Sequence, residues 1–141
     1  YRRRQEQIQR ALALSSQEGR RLVVVFVVDI NLARYFAGSD VVAGTSLREL
    51  MEQGILEEHK AEAQRILQEV MAQAQSAGVS CEADLRVGRF GEEIKRAAAQ
   101  YDPEVIVVTR ARRPAWLRRL FGSPVDQLCR DLSEYCRVEV V

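Results

Sequence analysis

Basic residues are concentrated in one short segment of this chain. The segment follows an apolar run and ends in residues that favour the start of a helix. The run, residues 105–109, reads Val-Ile-Val-Val-Thr, and the basic segment closes with Gly122-Ser123-Pro124. In α/β proteins such a strand–loop–helix junction binds phosphates, because the free N–H groups and partial positive charge of the helix start attract anions. Arginines before it could add paired, charge-assisted hydrogen bonds to a phosphate. The candidate anion-binding residues are Thr109, Arg110, Arg112, Arg113, Gly122 and Ser123.

These features also have simpler interpretations. Ser123 and Pro124 form an ordinary capped helix start even without a ligand. The loop Arg110–Arg119 could be a solvated basic surface or a contact for a protein partner, since an aromatic residue lies among its arginines. A phosphate cradle normally needs glycines, which let backbone N–H groups approach the anion, and the segment has none before Gly122. Both interpretations stay open at the level of the residues.

Two further side chains could take part in chemistry. Asp29 ends an apolar run on the carboxyl side of a predicted strand, where open α/β proteins place ligands, so it contacts either a ribose or base or only nearby loop amides. His59 is the single histidine, and no Ser, Cys or carboxylate motif accompanies it, which favours a structural role. We predict no catalytic residue, no metal site and no enzymatic activity.

Composition narrows the class of protein. The 141 residues, 47% hydrophobic and 29% charged, suit a single soluble domain spanning residues 1–141. A net charge of +1 provides no general attraction to nucleic acid or to a membrane surface. Three cysteines without a C-x-x-C pair argue against a zinc site or a disulfide framework and for a reducing, cytoplasmic location. The longest apolar run, Leu22–Val28, is far shorter than the ~20 residues that span a bilayer.

Hydrophobic periodicity predicts alternating helices and strands. Helices are expected around 8–15, over 46–77 with Leu50 on its inner face, around 94–101, and from Pro124 onward. Strands are expected over 22–28, 79–87, 105–109 and 137–141, with a long loop over 29–45. The run 22–28 is continuously apolar and β-branched, which is typical of a strand buried on both faces in a parallel sheet. The predicted fold is therefore α/β, an open parallel sheet with helices on both faces.

The order and spacing of several segments resemble the universal stress protein family across nearly the whole chain. The segments are Val27-Val28-Asp29, Val87-Gly88-x-x-Gly91-Glu92-x-Ile94, 102–108 (Asp-Pro-Glu-Val-Ile-Val-Val) and Leu120-Phe121-Gly122-Ser123. The resemblance implies a sheet ordered 3-2-1-4-5, whose first, central strand would lie upstream of Tyr1. We expect the sequence given to be truncated there, or the place of that strand to be filled by a partner chain or segment.

The resemblance also implies function. Members that bind nucleotides carry G-2x-G-9x-G-[ST] after the fourth strand, and here the first two glycine positions hold Thr109 and Arg112. We therefore expect a regulatory or stress-response module that does not bind ATP in the usual family geometry and has no resident cofactor. The alternatives are an ATP, AMP or cyclic-nucleotide switch with an arginine-modified phosphate loop, and a cytosolic domain of a membrane transporter. The family's habit, with the apolar last strand Val138–Val141, predicts a homodimer.

Overall fold

The computed structural model describes residues 2–30, 45–108, 124–133 and 136–140, and these form an alternating series of helices and strands. The predicted loop around Gly38–Gly44 and the residues 109–123 lie outside this part of the chain. The predicted alternation and the α/β class are confirmed. The elements are α1 (Arg2–Glu18), β1 (Leu22–Asp29), α2 (Thr45–Ser76), β2 (Cys81–Gly88), α3 (Phe90–Tyr101), β3 (Val105–Val108), α4 (Pro124–Leu132) and β4 (Arg137–Val140).

The ends of α1 and α2 follow from single glycines in the left-handed conformation. Gly19 follows α1 with φ 63°, and Gly78 follows α2 with φ 69°. After α2, the N–H of Val79 donates to the carbonyl of Ala74 (2.9 Å) and that of Gly78 to Gln75 (3.1 Å), the two bonds of a Schellman motif. This motif uses the amide of Val79, so β2 begins at Cys81 and not at the predicted Val79.

The strands form two separate parallel pairs. β1 pairs with β2 from Leu22 opposite Cys81 to Asp29 opposite Gly88. β3 pairs with β4 from Val105 opposite Arg137 onward. Within the described residues, no ladder joins one pair to the other. The parallel direction was predicted, and it places the carboxyl ends of β1 and β2 at one common edge.

Helices cover both faces of the strands, as predicted. On one face, α1 and α2 pack on β1, and their buried side chains are Ile8, Leu12, Ile66, Val70 and Ala74. On the other face, Leu128 and Leu132 of α4 pack with α3 and with the apolar side chains of β3 and β4. Since α1 also contacts β3, and α3 also contacts β1, each helix layer extends across both strand pairs.

Two predictions about burial were wrong. Leu50, placed on the inner face of the long helix by its spacing, is 69% exposed. β1 was expected to be buried on both faces, yet only Val28 is fully buried and the rest of the strand is half-buried. The described residues place a neighbouring strand on only one edge of β1, which leaves its side chains partly accessible.

Candidate functional site

The candidate site lies at the carboxyl edge of the strands. Asp29 ends β1 directly opposite Gly88, the last residue of β2, and its side chain is half-buried. Hydrogen bonding in the parallel ladder fixes this register, so Asp29 is held where open α/β sheets bind ligands. β3 ends at Val108, immediately before Thr109. The other six predicted residues, from Thr109 to Ser123, lie outside the described part of the chain, so only Asp29 has a position.

Close packing between Gly88 and Glu93 shapes this edge. The Glu93 side chain, 9% exposed, folds back from the first turns of α3 over the end of β2. A Cβ atom on Gly88 would lie 2.8 Å from Glu93 Cγ, inside the van der Waals limit. Glycine is therefore required here by the approach of a side chain, and the contact fixes where α3 starts relative to β2.

A network of charges holds Glu93 in this position. Arg96 donates to Glu93 Oε1 at 2.6 Å, and Arg86 lies 3.6 Å from Glu93 Oε2. Arg86 also donates from Nε to Asp84 Oδ2 at 2.9 Å, so it links two carboxylates that are both mostly buried. Each carboxylate is paired with a guanidinium, which satisfies the requirement that buried charges have partners.

Tyr101 completes the network at the far end of α3. Its hydroxyl donates to Asp84 Oδ2 at 2.8 Å. The hydrogen bond to Asp84, burial and the charge of that carboxylate all raise the pKa of Tyr101. Burial opposes the charge on Arg86, but the hydrogen bond to Asp84 and that carboxylate's charge outweigh it and raise the pKa of Arg86. The network is therefore a fixed set of ion pairs between β2 and α3.

Sequence reasoning missed this network. Asp84 and Arg86 are two residues apart on a strand, so they share a face, but the alternation of apolar residues from Val79 to Val87 assigns the covered face to the other set of positions. The structure shows that α3 contacts β2 and that Asp84 and Arg86 are both half-buried.

Other candidate groups in the described part of the chain are His59 and the thiols of Cys81 and Cys136. His59 is half-buried in the middle of α2. Burial raises the pKa of the Cys81 and Cys136 thiols, which lowers their thiolate content and reactivity. Within residues 2–30, 45–108, 124–133 and 136–140, no group of three His, Cys, Asp or Glu side chains could hold a metal ion. None of the helices described is long and apolar enough to cross a membrane.

Comparison with known proteins agrees with the alternation, the parallel strands and the segment spacing. The sequence model of the universal stress protein family matches residues 3–133. The chain belongs to this family. A curated relative, universal stress protein Sll1388 from Synechocystis, is 31% identical over 110 residues, which cover 74% of this chain and 69% of the relative.

Solved structures extend the comparison to the fold. A universal stress family protein from Burkholderia pseudomallei superposes with a TM-score of 0.67 at 20% identity, covering 97% of this chain and 85% of that one. Hypothetical protein MJ0577 superposes with a TM-score of 0.70 at 15% identity, again covering 97% of this chain and 85% of that one. A universal stress protein in complex with cAMP superposes with a TM-score of 0.59 at 17% identity, covering 96% of this chain and 85% of that one. At these identities the similarity establishes the fold alone.

Proposed function

We propose that this chain is a non-catalytic regulatory module of the stress response, acting through a partner contact or a ligand-dependent conformational change. Family membership supports the stress-response role. Asp84, Arg86, Glu93 and Tyr101 are bound to one another, and this network supports a structural role for these four residues in joining β2 to α3.

We further propose that the module does not bind ATP in the manner of the family's nucleotide-binding branch. The observation that carries this proposal is the pair Thr109 and Arg112 at the first two glycine positions of the motif, directly after β3 ends at Val108. Any side chain in place of these glycines adds a Cβ atom and restricts positive φ, the conformation that lets backbone N–H groups approach phosphates closely. Gly122 and Ser123 keep the end of the motif.

One observation favours a second candidate, a nucleotide-binding switch. Asp29 is fixed at the carboxyl edge of β1, suitably placed for a ribose or base, and Arg110, Arg112 and Arg113 follow β3 in the sequence. A structural neighbour in complex with cAMP makes a nucleotide ligand chemically reasonable for this fold. In this candidate, arginine side chains replace the missing backbone amides around the phosphate.

Equilibrium binding separates the two candidates. Fluorescently labelled ATP, AMP and cAMP are titrated into the wild type and the variants Asp29→Ala and Arg112→Ala. Arg65→Ala is the matched control, because Arg65 is exposed on α2 and paired there with Glu62. We expect no saturable binding below millimolar concentration. Micromolar binding that Arg112→Ala weakens, while Arg65→Ala leaves it unchanged, would replace the regulatory proposal with the switch.

We also propose a homodimer, a cytoplasmic location and a protein partner. β4 pairs with β3 along one edge, and within the described residues its other edge has no partner strand, which supports a homodimer through Val138–Val141. Cytoplasmic location, a protein partner at the Arg110–Arg119 loop and absence of nucleic-acid binding rest on composition and charge. The transporter-domain alternative has no support beyond the family resemblance.

A further inference from the structure

One edge of β2 is unpaired within the described residues. The N–H of Leu22 donates to the carbonyl of Ser80 at 2.9 Å, so β1 uses the backbone groups of the even-numbered residues of β2. Backbone groups of successive strand residues point to alternate edges. The free edge, which we call the β2 edge, therefore carries the N–H and C=O groups of Cys81, Ala83, Leu85 and Val87. No ladder joins it to another described strand, so it can pair with a strand of another chain.

The sequence along the β2 edge is complementary to itself when read in the reverse direction. It runs Ala83-Asp84-Leu85-Arg86-Val87. A second copy, antiparallel and related by a two-fold axis at Leu85, sets Leu85 opposite itself and Ala83 opposite Val87. The same axis sets each Asp84 opposite an Arg86, and opposite charges stabilise directly opposed positions. Moving the axis by one residue to either side sets Asp84 against Asp84 or Arg86 against Arg86, so charge selects this register.

A second copy in this register would cover apolar surface on the α2 side of the edge. Val87 is 41% exposed, and Ala83 on the same face is also exposed. A groove of about 820 Å³ lies beside them between α2 and β2, with Leu67, Met71 and Cys81 in its lining. Exposed apolar side chains next to an open groove are typical of a protein contact surface.

The helix layer leaves room for this copy. α2 contacts both β1 and β2, so one helix covers two strands on this face. Neighbouring strands lie about 4.8 Å apart, which places α2 and its copy roughly 10 Å apart across the groove. Helices pack against each other at about 8–10 Å, so the two copies of α2 would fill the groove without colliding.

We propose that a second copy of this chain docks on the β2 edge as an antiparallel strand, with the two-fold axis at Leu85. The interface is isologous, because the same residues meet on both chains. It uses β2 and not β4, so it can be tested independently of a homodimer through Val138–Val141 and of nucleotide binding.

Disulfide cross-linking tests the register. Ala83→Cys is introduced in one chain and Val87→Cys in another, both in a background with Cys81, Cys129 and Cys136 replaced by alanine. Under mild oxidation we expect at least ten-fold more covalent dimer in the mixture than in either chain alone, because residue 83 lies opposite residue 87 and not opposite itself. Equal yields in the three samples, or no covalent dimer in the mixture, would overturn the proposal.

Sedimentation velocity tests the association itself. Val87→Lys and Leu50→Lys form a matched pair, since both replace an exposed apolar side chain. We expect Val87→Lys to weaken self-association at least ten-fold and Leu50→Lys to leave it unchanged. Val138→Pro removes an N–H from the free edge of β4 and serves as the comparison. A monomeric wild type, or association that Val138→Pro abolishes and Val87→Lys leaves unchanged, would overturn the proposal, and the second result would support the interface at Val138–Val141 instead.

Discussion

At the scale of single residues, Gly88 and Gly91 have opposite roles although they are only three positions apart. A Cβ on Gly88 would collide with Glu93, whose carboxylate Arg86 and Arg96 hold in place. A Cβ on Gly91 would meet nothing within 4 Å. The requirement for glycine at Gly88 therefore comes from a neighbouring side chain, while Gly91 lowers helix stability without any compensating contact.

The variants Gly88→Ala and Gly91→Ala form a matched pair. We expect Gly88→Ala to lower the free energy of unfolding by about 1–3 kcal/mol, because the displaced Glu93 must leave its ion pairs. Gly91→Ala should raise the same free energy by roughly 0.5 kcal/mol through helix propensity. Urea denaturation measures both values. Equal effects of the two substitutions would show that Glu93 yields easily and does not fix the α3 start.

The hydroxyl of Tyr101 makes folding stability depend on pH in the alkaline range. Its pKa is raised in the folded protein by the hydrogen bond to Asp84, so the neutral phenol is the form that the fold stabilises. This contribution is fully present below the unfolded pKa of about 10 and is lost as pH rises through the higher folded value.

Tyr101→Phe should therefore cost about 1 kcal/mol of unfolding free energy at neutral pH, and the difference from wild type should narrow above about pH 10. Urea denaturation at several pH values measures the difference. Ultraviolet titration of phenolate should show one tyrosine fewer with a raised pKa in the variant. A difference that stays constant from neutral to alkaline pH would contradict the proposed bond to Asp84.

At the scale of elements, helix ends explain which boundaries the sequence predicts well. Gly19 and Gly78 follow α1 and α2, because a left-handed residue ends each helix and glycine adopts that conformation without strain. Asp102 takes the same role after α3, with φ 47° and its N–H donating to Ala98. The sequence predicted a helix end near residue 101, but not that Asp102 would be left-handed.

Asp102→Gly should raise the free energy of unfolding by up to about 1 kcal/mol, since glycine removes the left-handed strain at the cost of a more flexible unfolded chain. Gly78→Ala is the converse control and should lower it by about 1 kcal/mol, because space is open around Gly78 and only the backbone conformation opposes alanine. Thermal denaturation compares both variants with wild type. Destabilisation by Asp102→Gly would show that the carboxylate itself stabilises the helix end.

Contacts between elements were less predictable than their order. Arg10 of α1 donates from two nitrogens to Glu139 of β4, at 2.8 and 3.0 Å, across almost the whole sequence. Periodicity assigns each residue a face within its own element, but it contains no information on which distant charge meets that face. The exposure of Leu50 was equally unpredictable, since helical spacing placed it inward and spacing does not show which other element lies against each turn.

At the scale of the whole molecule, the sequence predicted the α/β class, the parallel strands and the family, which the structure and the comparisons confirm. These properties depend on many residues together, so a single residue that does not fit the pattern does not change the prediction. Of the predicted site residues, only Asp29 lies in the described part of the chain. It ends β1, as its position after an apolar run predicted. The functional proposal therefore rests chiefly on Thr109 and Arg112, two side chains at positions where nucleotide-binding members carry glycine.

Restoring those glycines tests this central proposal most directly. Isothermal titration calorimetry with ATP compares the wild type, the double variant Thr109→Gly/Arg112→Gly, and Arg65→Ala as an exposed control. If side chains at the two positions exclude the phosphates, the double variant should bind ATP at least ten-fold more tightly than the wild type, whose binding should stay weaker than millimolar. Tight ATP binding by the wild type, weakened in the double variant, would contradict the account. It would show that the Arg112 side chain binds the phosphates in place of the backbone N–H groups.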